Sequence, residues 1–162
     1  FGVSNQNPMM MELLKTAVKQ PLKVNQLQLS AAFTPSFEAG FHVNMEGPKA
    51  AVRDGSVFEY CRLTDTVIQA WSVLQHGYFK GNFVGKEEFA ALNHVLNDLA
   101  KKYQVTPTAI ALAWVLRYPG KMQAVIGTTK PQHVLEAGKA VTVTLTRKEW
   151  YQIYLAAGND LP

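Results

Sequence analysis

Cysteine is nearly absent from this chain: Cys61 stands alone among 162 residues. No internal disulfide can form, so stability must come from packing, and this thiol usage fits a reducing, cytoplasmic setting. Cys61 itself reads as a buried, inert thiol. Long hydrophobic runs are missing too. None approaches the roughly 20 residues that a bilayer span needs, so no membrane partner is expected. The opening Phe1-Gly2-Val3-Ser4-Asn5 has no charged leader and does not read as a secretory signal. It reads as the end of a strand. No Lys/Arg run is long enough for a nucleic-acid or membrane patch. The net charge of +4 is spread along the chain and suits at most a small anion, such as a dinucleotide phosphate.

Several chemical signatures are also missing. There is no G-x-G-x-x-G. Gly81-Asn82-Phe83-Val84-Gly85-Lys86-Glu87 approaches a phosphate-binding loop but is one residue short, and Glu87 stands where Ser or Thr is required. His42, His76 and His94 have no Cys, Asp or Glu at metal-ligand spacing, so no metal is expected.

What is present is a globular composition, 48% hydrophobic and 17% charged, ample for a core. Short apolar runs alternate with helical patterns. Residues 1–3 read as a strand end, 24–29 as a second strand, 66–71 as a third and 123–126 as a fourth. Asn7-Pro8 opens a helix to about Lys19, with Asn as N-cap and Pro at the first helical position. A short helix is expected near 57–63. Phe89, Leu92, Leu96, Leu99 and Tyr103 recur at helical spacing, which predicts an amphipathic helix over 87–103. Thr106-Pro107 restarts a helix that is apolar nearly all round. A further helix runs from about Pro131 to Ala140. Thr146 with Glu149 forms a capping box that starts the last one. Residues 30–56 form an irregular stretch, long enough to suggest a binding loop or lid.

Strand–helix alternation implies an α/β fold with a parallel sheet and right-handed crossovers. Four such strands form either a small open sheet or half of a (β/α)8 barrel, which needs ~250 residues. Polar residues at or near the strand ends favour the barrel: Ser4 and Asn5, Gln26 and Gln28, Gln69 and Ser72, Thr128 and Thr129. Barrels gather ligand groups at the C-terminal ends of strands. Half a barrel would carry an apolar inner face and two unpaired edges. A complementary half or a second copy is therefore the expected partner.

The ordered set of motifs resembles the aldo-keto reductase family. Gly2-Val3-Ser4-Asn5 is similar to its fifth strand, Val24-Asn25-Gln26 to its sixth and Gln69-Ala70-Trp71-Ser72 to its seventh. The run from Thr106-Pro107 to Arg117 resembles the helix before strand eight, and Val125-Ile126-Gly127-Thr128-Thr129 the eighth strand and its phosphate loop. Leu145-Thr146 with Glu149-Trp150 resembles the terminal helix. Gly158-Asn159-Asp160-Leu161-Pro162 resembles the chain end of a bacterial branch. The resemblance spans nearly the whole of 1–162 and implies the C-terminal half of such a barrel, with the N-terminal catalytic half lying elsewhere.

By that resemblance the intact protein reduces aldehydes or ketones by hydride transfer from a nicotinamide cofactor. Ser4, Asn5 and Gln26 would hold the nicotinamide carboxamide, since a primary amide needs both donors and acceptors. Trp71 would stack on the ring. Ser72 and Leu74 would lie along the pyrophosphate; the family often has Pro and Gly where Val73 and Gln75 stand. Gly127, Thr128, Thr129 and Lys130 would meet the adenosine end at a helix N-terminus, and Glu136 the adenine. NADP(H) is expected over NAD(H), although His133 stands where the family has an Arg, and a neutral His is a weaker phosphate partner. The family's catalytic Tyr, Lys, Asp and His belong to strands one to four, so no catalytic residue is expected here. Tyr78 and Lys80 do not match the acid's position. A non-catalytic nucleotide-binding or regulatory module on the same scaffold remains the alternative.

Overall fold

The computed structural model describes residues 1–38, 56–77 and 80–161. His42, Tyr78 and most of the expected loop at 30–56 lie outside the described residues. The elements are β1 (Gly2–Ser4), α1 (Pro8–Ala17), β2 (Val24–Gln28), α2 (Pro35–Glu38), α3 (Val57–Leu63), β3 (Val67–Trp71), α4 (Ala90–Tyr103), α5 (Pro107–Leu116), β4 (Met122–Ala124), α6 (Pro131–Gly138) and α7 (Arg147–Ala156).

All strands pair in parallel in the order β1-β2-β3-β4. Sequential order separates the two architectures considered above. A doubly wound sheet reverses its strand order at a switch point, whereas a barrel adds each strand to the same side of the last. This sheet winds as a barrel arc.

Local chemistry explains the helix starts. Asn7 Oδ1 accepts from the Met10 amide at 2.9 Å, ahead of Pro8. Thr106 Oγ1 does the same for Ala109 at 3.2 Å, ahead of Pro107. Thr146 and Glu149 close the expected capping box. Several boundaries differ from the sequence reading, and α2 (Pro35–Glu38) falls within the stretch expected to be irregular. The helix expected over 87–103 begins as a 3-10 turn, Glu87–Phe89, and becomes α-helical at Ala90. The last strand ends at Ala124 rather than Ile126. It is an edge strand paired only with β3, and one further bond, Val125 N–H to Ala70 O at 2.8 Å, carries the pairing past its end.

Alternation along β2 and β3 divides the sheet into two unlike faces. Leu27, Ile68 and Ala70 are buried beneath the helices, and Asn25 with them. Asn25 ties down the turn after β1: its Nδ2 donates to Gln6 O at 2.8 Å and its Oδ1 accepts from Gln6 N at 3.4 Å. Cys61 is fully buried, and that burial pushes its thiol up from the ordinary range. The opposite face corrects the expectation of an apolar interior. Ser4, Gln26, Gln69 and Gln123 stand in register across all four strands. Gln26 Nε2 donates to Gln69 Oε1 at 3.4 Å, and Gln69 Nε2 donates to Gln123 Oε1 at 2.9 Å. Apolar surface is also left in the open on the helices. Met9, Met10 and Leu13 (70% exposed) lie on α1, Val134, Leu135 and Val141 (78% exposed) lie on or just after α6, and Leu63 (86% exposed) ends α3.

The core is completed by α5, whose residues Ala109 to Val115 are all buried. Trp114 and Trp150 stack with centroids 4.8 Å apart and planes 9° apart. Each indole N–H donates to the other residue's backbone carbonyl at 3.0 Å. The Trp114 carbonyl is available because it lies in the last turn of α5, where carbonyls lack helical partners. Among the described residues no helix is long and apolar enough to cross a membrane.

Glu149 joins α4 to α7. It accepts from Lys102 Nζ at 2.5 Å, Tyr103 Oη at 2.8 Å and the Thr146 amide at 2.7 Å. Burial opposes its charge, but these bonds outweigh burial and hold the carboxyl at about 2, against an ordinary 4.5. A depressed carboxyl contributes stability that is complete above its unfolded value and lost as pH falls through the folded one. Glu149→Gln is therefore expected to flatten the loss of stability between about pH 4.5 and 2, read from urea midpoints across that range. Trp114→Ala is expected to cost about 3–5 kcal/mol in the same assay. Trp114→Phe should cost less than Trp114→Ala, because it keeps a ring while removing one indole donor.

Candidate functional site

Backbone strain marks the C-terminal edge of the sheet. Asn5, just after β1, has φ 54°, and Ser72, just after β3, has φ 52°. Left-handed geometry is tolerated by Asn but costs other non-glycine residues about 1–2 kcal/mol, and such strain collects at functional sites. Both turns lie at the end of the sheet where barrels bind ligands.

Between the turn after β3 and the start of α6 lies a cleft of about 610 Å3. Trp71, Ser72 and Leu74 form one wall, and Gly127, Thr128, His133 and Glu136 the other. Sequence reasoning named all seven as candidates. Thr129 and Lys130 sit on the same β4–α6 connection without lining the cleft. Lys130 occupies the N-cap of α6 with no side-chain cap bond, and Pro131 follows it. The first-turn N–H groups of α6 are thus without a capping side chain, an arrangement that favours an anion. Thr128 Oγ1 receives the Lys130 amide at 3.2 Å and lies 3.4 Å from His133 Nδ1. Glu136 accepts from Gln132 Nε2 at 3.2 Å.

Ser4, Asn5 and Gln26 stand at the same end of the sheet but do not line this cleft. The Ser4 hydroxyl donates to Gln26 O at 3.2 Å, and the Asn5 amide donates to the same oxygen at 2.9 Å. Gln28 ends β2 in register with Trp71. It is buried, and its Nε2 has no hydrogen-bond partner among the described residues. A buried amide donor left unmet costs about 1–3 kcal/mol. A ligand carrying acceptors at this end would meet it. The cleft therefore offers a flat aromatic wall and an anion-favouring helix end, and an unmet amide lies near its Trp71 wall. That set fits a dinucleotide.

Sequence reasoning missed Asn82 and Thr108, which also line the cleft, and set Gln75 apart from the site although it lines it too. Asn82 was hidden because its segment was tested only as a phosphate loop. It reaches the cleft through an isolated antiparallel bridge to Gln75, next to Gly81 at φ 94°. Thr108 had a signal: it lies in the first turn of α5, just behind the Thr106-Pro107 start. His76 packs on Phe89 with ring centroids 4.9 Å apart; contrary to the sequence reading, His94 does have an acid at i,i+4 spacing, Asp98, 3.4 Å away on an exposed helix face. No group of three or more His, Cys, Asp or Glu able to hold a metal occurs among the described residues.

The φ of Ser72 gives a test of strain. Ser72→Gly should leave stability unchanged or raise it by about 1 kcal/mol, and Ser72→Val should lower it, since β-branched side chains resist this region. Thermal unfolding of the two variants beside the parent checks both signs.

Comparison with known proteins places this geometry. A model of the aldo/keto reductase family matches residues 1–156. A 6-dehydroglucose reductase from Agrobacterium fabrum is 32% identical over 162 residues, which cover 99% of this chain and 47% of that protein. The crystal structure of the thermostable aldo-keto reductase Tm1743 with the inhibitor epalrestat superposes with a TM-score of 0.67 at 20% identity, covering 96% of this chain and 47% of that one. The aldo-keto reductase AKR2E5 of the silkworm Bombyx mori, solved with NADPH, superposes at 0.65 with 17% identity, covering 96% and 41%. The four-stranded unit is thus half of a TIM barrel, and the chain spans about half the length of the curated relatives it matches.

Proposed function

Because the chain belongs to the aldo/keto reductase family, we propose that it supplies the cofactor-holding half of a nicotinamide-dependent oxidoreductase that reduces aldehydes or ketones. The observation that carries this reading is the cleft joining Trp71, Ser72 and Leu74 to Gly127, Thr128, His133 and Glu136. We assign it to NADP(H) rather than NAD(H); the NADPH complex of the silkworm relative supports that choice. Bound there, the cofactor would supply a hydride.

The residues of this chain bind and orient. Trp71 gives a flat wall that fixes which face of a planar ring is offered. Ser4, Asn5 and Gln26 contribute donors and acceptors suited to a carboxamide. Ser72 and Leu74 turn the backbone along the cleft. Gly127, Thr128, Thr129 and Lys130 lead into the N-terminus of α6, where amides and dipole favour phosphate. His133 stands by the same end, and Glu136 offers a carboxylate to an adenine amino group. The proton for the product alkoxide would come from a Tyr outside residues 1–162. The protein would act in the cytoplasm.

The apolar flanks on α1 and α6 and the one-sided pairing of β1 and β4 support a partner that closes the sheet. We assign that role to the complementary N-terminal half-barrel, because relatives of this family run to twice this length. A second copy is the rival occupant.

The test uses the complete protein that carries this chain. NADPH should bind saturably and be oxidised only when an aldehyde or ketone is added. Trp71→Ala should weaken NADPH binding at least about tenfold, a loss of one stacking contact. His133→Arg should tighten NADPH over NADH by about tenfold, through a charge-assisted phosphate contact. Saturable binding with no carbonyl-dependent oxidation would favour the non-catalytic module. No binding of either nucleotide would overturn the site.

A further inference from the structure

At the opposite end of the sheet lies a second pocket, of about 360 Å3, that the reading above does not use. Arg62 ends α3 just before β3, Arg117 follows α5 just before β4, and Arg147 opens α7, so the pocket lies toward the N-terminal ends of the strands. Its walls are Tyr118, Trp150 and Tyr151, and Glu59 is its one acid among the described residues.

Two of the three guanidiniums rest against neutral groups. Arg117 Nε donates to Leu145 O at 2.9 Å, which leaves its outer N–H fork for other partners. Arg147 lies 5.7 Å from the Tyr151 ring centroid. Arg62 stands close enough to the Tyr118 hydroxyl to offset part of what burial, and then the Glu59 carboxylate, do to it; the phenol is still pushed up to about 12, so it stays neutral. No salt bridge to any of these arginines occurs among the described residues, although Lys15, Lys102 and Lys121 each have a carboxylate partner. Three positive charges against one negative leave a surplus of two on an aromatic floor.

We propose that this pocket binds an aryl monophosphate: a dianionic phosphate group held by Arg62, Arg117 and Arg147, with its ring along Tyr151 and the outer edges of Tyr118 and Trp150, whose faces are taken up in the core. Arginine forks match phosphate oxygens, and a phosphate ester carries close to two negative charges at neutral pH. The aromatic walls add edge-on and apolar contact that inorganic phosphate cannot use. The volume is that of a small-molecule site. This inference is independent of the cofactor reading, since the two sites share no residue.

Calorimetric titration of the complete protein with phenyl phosphate tests it, with inorganic phosphate and phenol as separate arms. Phenyl phosphate should bind saturably and at least about tenfold more tightly than either fragment. Arg62→Ala with Arg147→Ala, both at exposed positions, should weaken it at least about tenfold while circular dichroism stays unchanged, because each removes a charge-assisted bond. His133→Ala, in the other cleft, should leave the affinity as it was, and NADPH should not compete. Equal affinity for inorganic phosphate, retention of binding in the arginine variant, or displacement by NADPH would each overturn the proposal.

Discussion

Everything in this molecule rests on the period-two alternation of β2 and β3. Successive side chains on a strand must point to opposite faces. Leu27, Ile68 and Ala70 therefore face the helices together, while Gln26 and Gln69 face the other way together. A shift of register by one residue would bury the glutamines and expose the hydrocarbon. One constraint thus places the core and aims the polar groups at the same time.

The amide row on that second face changes what sort of partner the sheet asks for. Half a barrel reads at first as a greasy concave surface waiting to be covered. Here the concave side carries Ser4, Gln26, Gln69 and Gln123, and the three glutamines are chained by side-chain bonds. Greasy surface lies on α1, on α6 and at the end of α3. Closure by any partner must then match strand edges and helix flanks. Geometry, more than general hydrophobicity, selects what fits.

Much of this was legible beforehand because the signals were local. Asn7-Pro8, Thr106-Pro107 and the Thr146–Glu149 box name helix starts through hydrogen bonds within three residues, and each forms as read. The cleft wall from Trp71 to Leu74 was legible through the resemblance of the seventh strand and the turn after it to the family's. Other features were not, because they depend on contacts distant in the chain. The inward glutamine row needs the registers of three strand pairs. Asn82 reaches the cleft only through its bridge to Gln75. The burial of Gln28 beside Trp71 cannot be read from a residue type that is usually exposed. The Trp114–Trp150 exchange joins residues 36 apart in sequence.

Cys61 carries a last consequence. Its sulfur is sealed on the inner face of α3, and alkylating or oxidising reagents act on an accessible thiolate. The rate at which a thiol reagent consumes it therefore counts openings of the α3–β3 region, so the chain holds its own chemical clock for local unfolding.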